Sequence, residues 1–153
     1  MGVTHDSRRP DKPLWVCPAC ERAFAYANQS HACVRHTLDE HLAGKTPEVL
    51  AIYRRLEAVA RRLGPVLVLP EATRIAFQVR MSFAAVSLHR RWVDGHVVLA
   101  RRLEAPRFRC IDTISPRNHV HVFRIAAVDE VDAEVEAWFA EAYLVGEQRH
   151  LLR

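Results

Sequence analysis

The chain has 153 residues, half of them hydrophobic, with 22 basic and 18 acidic side chains and a formal net charge of +4. That is enough apolar material to bury the core of one ordinary domain plus a small appendage. No run approaches the roughly 18 consecutive apolar residues of a membrane span, and the expected location is the cytoplasm.

Residues 1–13 are polar, with Pro10 and Pro13 and nothing to bury, and read as a flexible leader. Residues 14–45 read as a separate subdomain built on Cys17-Pro-Ala-Cys20 and on His31-Ala-Cys33. Two cysteines two residues apart can place both thiolates on one ion across a tight turn, and Pro18 fixes the backbone angle that such a turn needs. His31 and Cys33 complete a tetrahedral Cys3His set, the donor set and geometry that structural zinc prefers. His36 competes with His31 for the fourth position through a Cys33-x2-His36 spacing. Phe24 and Trp15 are the aromatic small core expected around such a knuckle. A redox dithiol would sit at the start of a helix after an apolar strand, and no such strand precedes Trp15.

Residues 46–153 read as an α+β domain. Thr37-Leu-Asp-Glu40 is a capping box opening a short helix that Gly44 ends, and Thr46-Pro47 opens a longer one. The apolar stripe of that second helix is Val49, Ile52, Tyr53, Leu56, Val59, Ala60 and Leu63, and Gly64-Pro65 stops it. From Val66 to Ile125 the period changes to two: strands are expected over 66–69, 73–79, 83–88, 92–99, 107–114 and 119–125. Asp94-Gly95 fits either a bulge or the hairpin turn itself. Short connections imply an antiparallel β-meander. Asp129 is expected to cap a C-terminal helix with the stripe Val131, Val135, Trp138, Phe139 and Ala142, closed by Gly146.

Charge is unevenly placed. Residues 71–125 hold ten basic and four acidic side chains, whereas residues 126–153 hold two and seven. If both helices cover one sheet face, the other could present Arg74, Gln78, Arg80, Arg107, Arg109 and Arg124. Arginine forks suit phosphate, so Arg74, Arg80, Arg107 and Arg109 are candidate nucleic-acid contacts. Catalytic sets are weaker. The basic block lacks the paired carboxylates and lysine of a metal-dependent nuclease, His119 and His121 with Asp112 are a candidate second metal site or acid–base cluster whose default reading is ordinary half-buried residues, and Cys110 reads as a core residue.

The strings Trp15-x-Cys17-Pro18-x-Cys20-x3-Phe24, Asn28-Gln29-x-His31-x-Cys33, the block Thr73 to Val86, Ser115 to His121 and Ala142-Tyr143-x-Val145-Gly146 resemble the bacterial domain-of-unknown-function family numbered fifty-six fifty-five, in its form with an N-terminal zinc knuckle. The resemblance implies a small α+β domain, of a kind found elsewhere attached to predicted nuclease-like regions, and supplies no reaction. It maps the ligand pattern onto Cys17, Cys20, His31 and Cys33, and the central block onto Thr73, Arg74, Phe77, Arg80 and Phe83. The resulting expectation is a zinc-stabilised, non-catalytic binding module associated with nucleic acid. The alternative is a protein- or ligand-binding domain with a purely structural zinc.

Overall fold

The computed structural model describes residues 11–152, so most of the expected leader lies outside the described residues. A two-stranded ribbon, β1 (Trp15–Val16) and β2 (Ala23–Phe24), carries the first cysteine pair in its turn. It is followed by α1 (Leu38–Leu42) and α2 (Pro47–Leu63). Thr37 and Thr46 cap these helices by accepting the amides of Glu40 and Val49, and Pro47 occupies the first turn, where its missing N–H costs nothing.

Six strands form one antiparallel sheet: β3 (Leu67–Pro70), β4 (Ile75–Gln78), β5 (Ser82–Leu88), β6 (Val93–Leu99), β7 (Cys110–Ser115) and β8 (Asn118–Ile125). Their order is β3-β4-β5-β6-β8-β7. The first four make a meander; the chain then skips a place and β8 returns into the gap, leaving β7 on the edge. The segment 100–109 accounts for the skip, because it is a long crossing, with one turn closed by the Phe108 amide on the Ala105 carbonyl, and is unlike the tight Ser115–Asn118 hairpin. Asp94 and Gly95 sit inside β6, opposite Ser87 and Val86, so the turn is at 89–92. Gly95 is required there because a Cβ would lie 2.7 Å from the Phe123 ring.

The last helix, α3 (Ala133–Gly146), starts later than the sequence suggested. Asp132, not Asp129, caps it, accepting the Val135 amide. Asp129 lies in a preceding 3-10 turn, which Glu130 fixes by accepting the amides of Ala126 and Ala127 at 3.0 and 2.8 Å.

Helices α2 and α3 pack on one sheet face. Alternate residues of β6 and β8 (Val93, Val97 and Leu99; His121, Phe123 and Ile125) are buried beneath them. Phe123 meets Trp138 at 5.5 Å between ring centroids, and Phe83 meets Tyr143 at 5.4 Å. Burying each large side chain in this layer stabilises the fold by about 1.5–3 kcal/mol. The opposite face is only partly open, because the knuckle sits over its β4 end: Gln78, 1% exposed, points to that side and bonds the knuckle backbone.

Candidate metal centre

The β1–β2 turn is tight. The Cys17 amide bonds the Arg22 carbonyl at 2.9 Å, and the Glu21 amide bonds the Cys17 carbonyl at 2.8 Å. To close this turn Glu21 adopts φ 63, a left-handed conformation that a side chain tolerates poorly. The turn aims both sulfurs at the segment 31–33. The ligand atoms of Cys17, Cys20, His31 and Cys33 all lie within 4.8 Å of one another.

The edges of this cluster test its fit to an ion. Cys17 Sγ and Cys33 Sγ are 3.8 Å apart, and His31 Nε2 lies 3.3 Å from Cys20 Sγ and 3.5 Å from Cys33 Sγ. A tetrahedron with metal–sulfur bonds of about 2.3 Å and a metal–nitrogen bond of about 2.0–2.1 Å has edges of roughly 3.5–3.8 Å. The donors fit. His31 Nδ1 bonds the Gln29 carbonyl at 2.6 Å, which fixes the proton on Nδ1 and turns the Nε2 lone pair toward the sulfurs. His36, the competitor, instead pairs with Glu40 at 3.1 Å and is outside the cluster.

Electrostatics around the cluster are graded. The Cys20 amide, donating to its sulfur, helps hold Cys17 down to about 6. The neighbouring Cys17 sulfur and burial push Cys33 up to about 11. The Gln29 carbonyl raises His31. Aromatic packing encloses one side: the Phe24 ring is 4.3 Å from His31, and Trp15 meets both within about 6 Å.

The knuckle is anchored by Arg22. Its guanidinium bonds Glu71 Oε2 and Gln78 Oε1, both at 3.0 Å, and lies 4.9 Å over Phe24. Gln78 Nε2 in turn donates to the Ala23 carbonyl at 2.7 Å. A third tie runs from Gln148 Nε2 to the Tyr26 hydroxyl at 3.5 Å. Sequence reasoning missed Arg22 and Gln78 as a unit, since 56 residues separate them.

The four candidate nucleic-acid arginines do not share a face. Arg74 pairs with Glu71 at 2.9 Å, and Arg80 bonds Gln148 at 2.9 Å. Arg107 lies on the helix side, bonding Asp132 and Glu134 and standing 5.3 Å from the Trp138 ring. Arg109 is exposed before β7. Much of the basic block is neutralised by the acidic C-terminal segment, through Arg101–Glu141 and Arg107–Asp132, and within the sheet through Arg124–Asp94.

The histidine cluster also comes apart. His121 is fully buried, donating from Nδ1 to the His119 carbonyl and accepting the Leu103 amide on Nε2, both at 2.9 Å. His119 is held by Thr113 and the Pro116 carbonyl. Asp112 pairs with Val120, whose side chain is on the other sheet face from both histidines, so no acid–base set forms. Cys110 is exposed rather than in the core, because β7 is an edge strand.

A family model, "Domain of unknown function (DUF5655)", matches residues 38–146, most of the chain. The protein therefore belongs to that family. The knuckle, from Cys17 to Cys33, precedes the matched segment, so it is an addition to the family domain as the model defines it. Comparison with curated proteins and with solved structures gives no match. No helix among the described residues is long and apolar enough to cross a membrane.

Proposed function

We propose that the Cys3His cluster holds zinc in a structural role and that the protein is a non-catalytic binding module whose surface is directed at protein. The observation that carries the reading is the set of four protein donors gathered within 4.8 Å of one another and tied to the sheet through Arg22 and Gln78. Four ligands leave no position for water or substrate, so such a site staples the chain and hydrolyses nothing. The histidines that would carry acid–base chemistry are used up, His121 in two backbone bonds and His119 in bonds to the Thr113 hydroxyl and the Pro116 carbonyl. The arginine-rich middle is largely paired internally, which leaves less free positive charge than the composition implies.

Nucleic-acid association is a second reading, and one observation favours it: Arg90, Arg91 and Arg109 are exposed and, among the described residues, have no side-chain partner. Fluorescence anisotropy of labelled DNA and RNA with zinc-loaded protein across a salt series separates the two. The protein-directed reading expects no affinity at moderate salt. A salt-sensitive affinity abolished by Arg90→Glu, Arg91→Glu and Arg109→Glu would overturn it, because counterion release drives such binding. Elemental analysis expects one zinc per chain, lost in Cys17→Ser; iron, or no metal, would refute the structural assignment.

A further inference from the structure

Among the described residues the sheet has two unpaired edges, β3 and β7, and they are guarded differently. β7 carries Asp112 and a register shift between Thr113 and Ser115, two devices that discourage pairing with another chain. β3 has neither: Val66-Leu67-Val68-Leu69-Pro70 holds no charge and no shift.

The phase of the ladder determines what this edge offers. The Glu71 amide bonds the Arg74 carbonyl, so the bonded pairs continue at Leu69–Ala76 and Leu67–Gln78. Val66, Val68 and Pro70 are in the other phase and turn their backbone groups outward, the phase in which proline's missing N–H breaks no bond of the sheet. On the face away from α2 and α3, Leu67, which is 48% exposed, and Leu69 form one wall of a groove of about 490 Å3. The other wall is the knuckle segment Ala32–Val34, where Val34 is 70% exposed.

We propose that this edge is a self-association surface, on which a second copy adds its own β3 antiparallel about a two-fold axis through Val68. The sequence selects this occupant because it is self-complementary in that register. Val68 meets Val68 of the second copy and exchanges two backbone bonds with it. The Val66 amide reaches the Pro70 carbonyl of the second copy, and the reverse. Leu67 falls opposite Leu69 of the second copy in the non-bonded pairing, where side chains are closest. Four leucines then gather at the groove beside Val34 of each chain. A charged edge paired with itself would set like charges face to face, and the uncharged β3 avoids this. The contact is isologous and closes at two, joining two six-stranded sheets into one. With so short a strand the interface is at the small end of specific contacts, and the dimer is a weak one. The inference rests on the protein-directed reading, since the same groove, leucine-lined along β3 and carrying Glu21, Arg22, Arg35 and Glu71 elsewhere, is the contact.

The test is sedimentation velocity of the zinc-loaded full chain from low to high micromolar concentration. The expected result is a mass rising from 17.5 kDa toward twice that value. Leu67→Lys, at an exposed side chain, should weaken association at least tenfold while the melting temperature holds. In a Cys110→Ser background, Val68→Cys should form a covalent dimer with oxidised glutathione, because a hydrogen-bonded pair sets the Cα atoms about 5.5 Å apart, within disulfide reach. Leu144→Cys, on α3, should not. A chain that is monomeric throughout, a dimer indifferent to Leu67→Lys, or a Val68→Cys variant that stays monomeric would each overturn the dimer. The protein-directed reading would survive those results, because it fails only if the nucleic-acid titration is positive.

Discussion

Gln78→Leu isolates the tie between knuckle and sheet, since leucine has similar bulk but neither polar atom. The variant removes the 2.7 Å bond to the Ala23 carbonyl and the 3.0 Å bond from Arg22. A stranded buried carbonyl costs about 1–3 kcal/mol, and a bond to a charged group is worth about 1.5–3 kcal/mol. The second figure is reduced because Arg22 keeps Glu71 at 3.0 Å, so the docked state loses about 2–4 kcal/mol in all. No residue of the knuckle belongs to the main hydrophobic cluster, which runs from Val49 to Tyr143. The loss should therefore be local. Native-state amide exchange should speed up in the knuckle by about one and a half to three decades, while Val97 and Phe123 keep their protection. Loss of protection in knuckle and sheet together would make the knuckle an integral part of the core and refute the reasoning. Unchanged exchange at the knuckle would show that Gln78 does not hold it.

Two further predictions concern single residues. His96 faces away from the helices, opposite Ala85 and Val122, and burial followed by the Arg74 charge lowers it to about 4. Its folded-state value lies below the unfolded one, so the stability it contributes is complete above about pH 6.5 and is lost as pH falls toward 4. Urea unfolding should show that His96→Gln loses about 2 kcal/mol less than the parent between pH 7 and pH 4.5; equal losses would refute the assignment. Glu21→Gly relieves a left-handed backbone worth about 1–2 kcal/mol and returns about 0.5–1 of it through the freer unfolded chain. It also breaks only an exposed 3.6 Å contact with Arg35. Zinc affinity, measured by chelator competition, should rise up to a few-fold, and weaker binding would contradict the strain argument.

The parts of this fold that were legible in the sequence are the parts governed by local chemistry. Thr46-Pro47 and Thr37 could be read as helix starts because capping is a contact three residues long. The Cys17-x2-Cys20 turn and the His31–Cys33 pair were readable because an ion imposes its own spacing. The existence of β6 and β8 followed from the period of two. What failed was long-range. The place of β7 outside β8 depends on how a ten-residue crossing packs, and with it went the burial of Cys110 and the side on which Asp112 lies. Asp129 and Asp132 are equally good caps in isolation, and the Glu130 carboxylate, by building a 3-10 turn first, decides between them. The arginines were misplaced for the same reason: Arg107 finds Asp132 across 25 residues, a pairing that no window of sequence contains.

The spacing of the knuckle's anchors also sets an order of events during synthesis. All four candidate ligands lie between Cys17 and Cys33, so the centre can close as soon as that short stretch has emerged. The side chain it docks on, Gln78, is 55 residues beyond Ala23, and the partner of Tyr26, Gln148, is 122 residues further along than that tyrosine. At about 5–20 residues per second the first anchor trails the knuckle by seconds and the second by several seconds more. Once loaded with an ion, the hairpin would be a finished object waiting for its seat, and its exposed Val16 and Val34 would be displayed to whatever stands near the ribosome before the sheet exists.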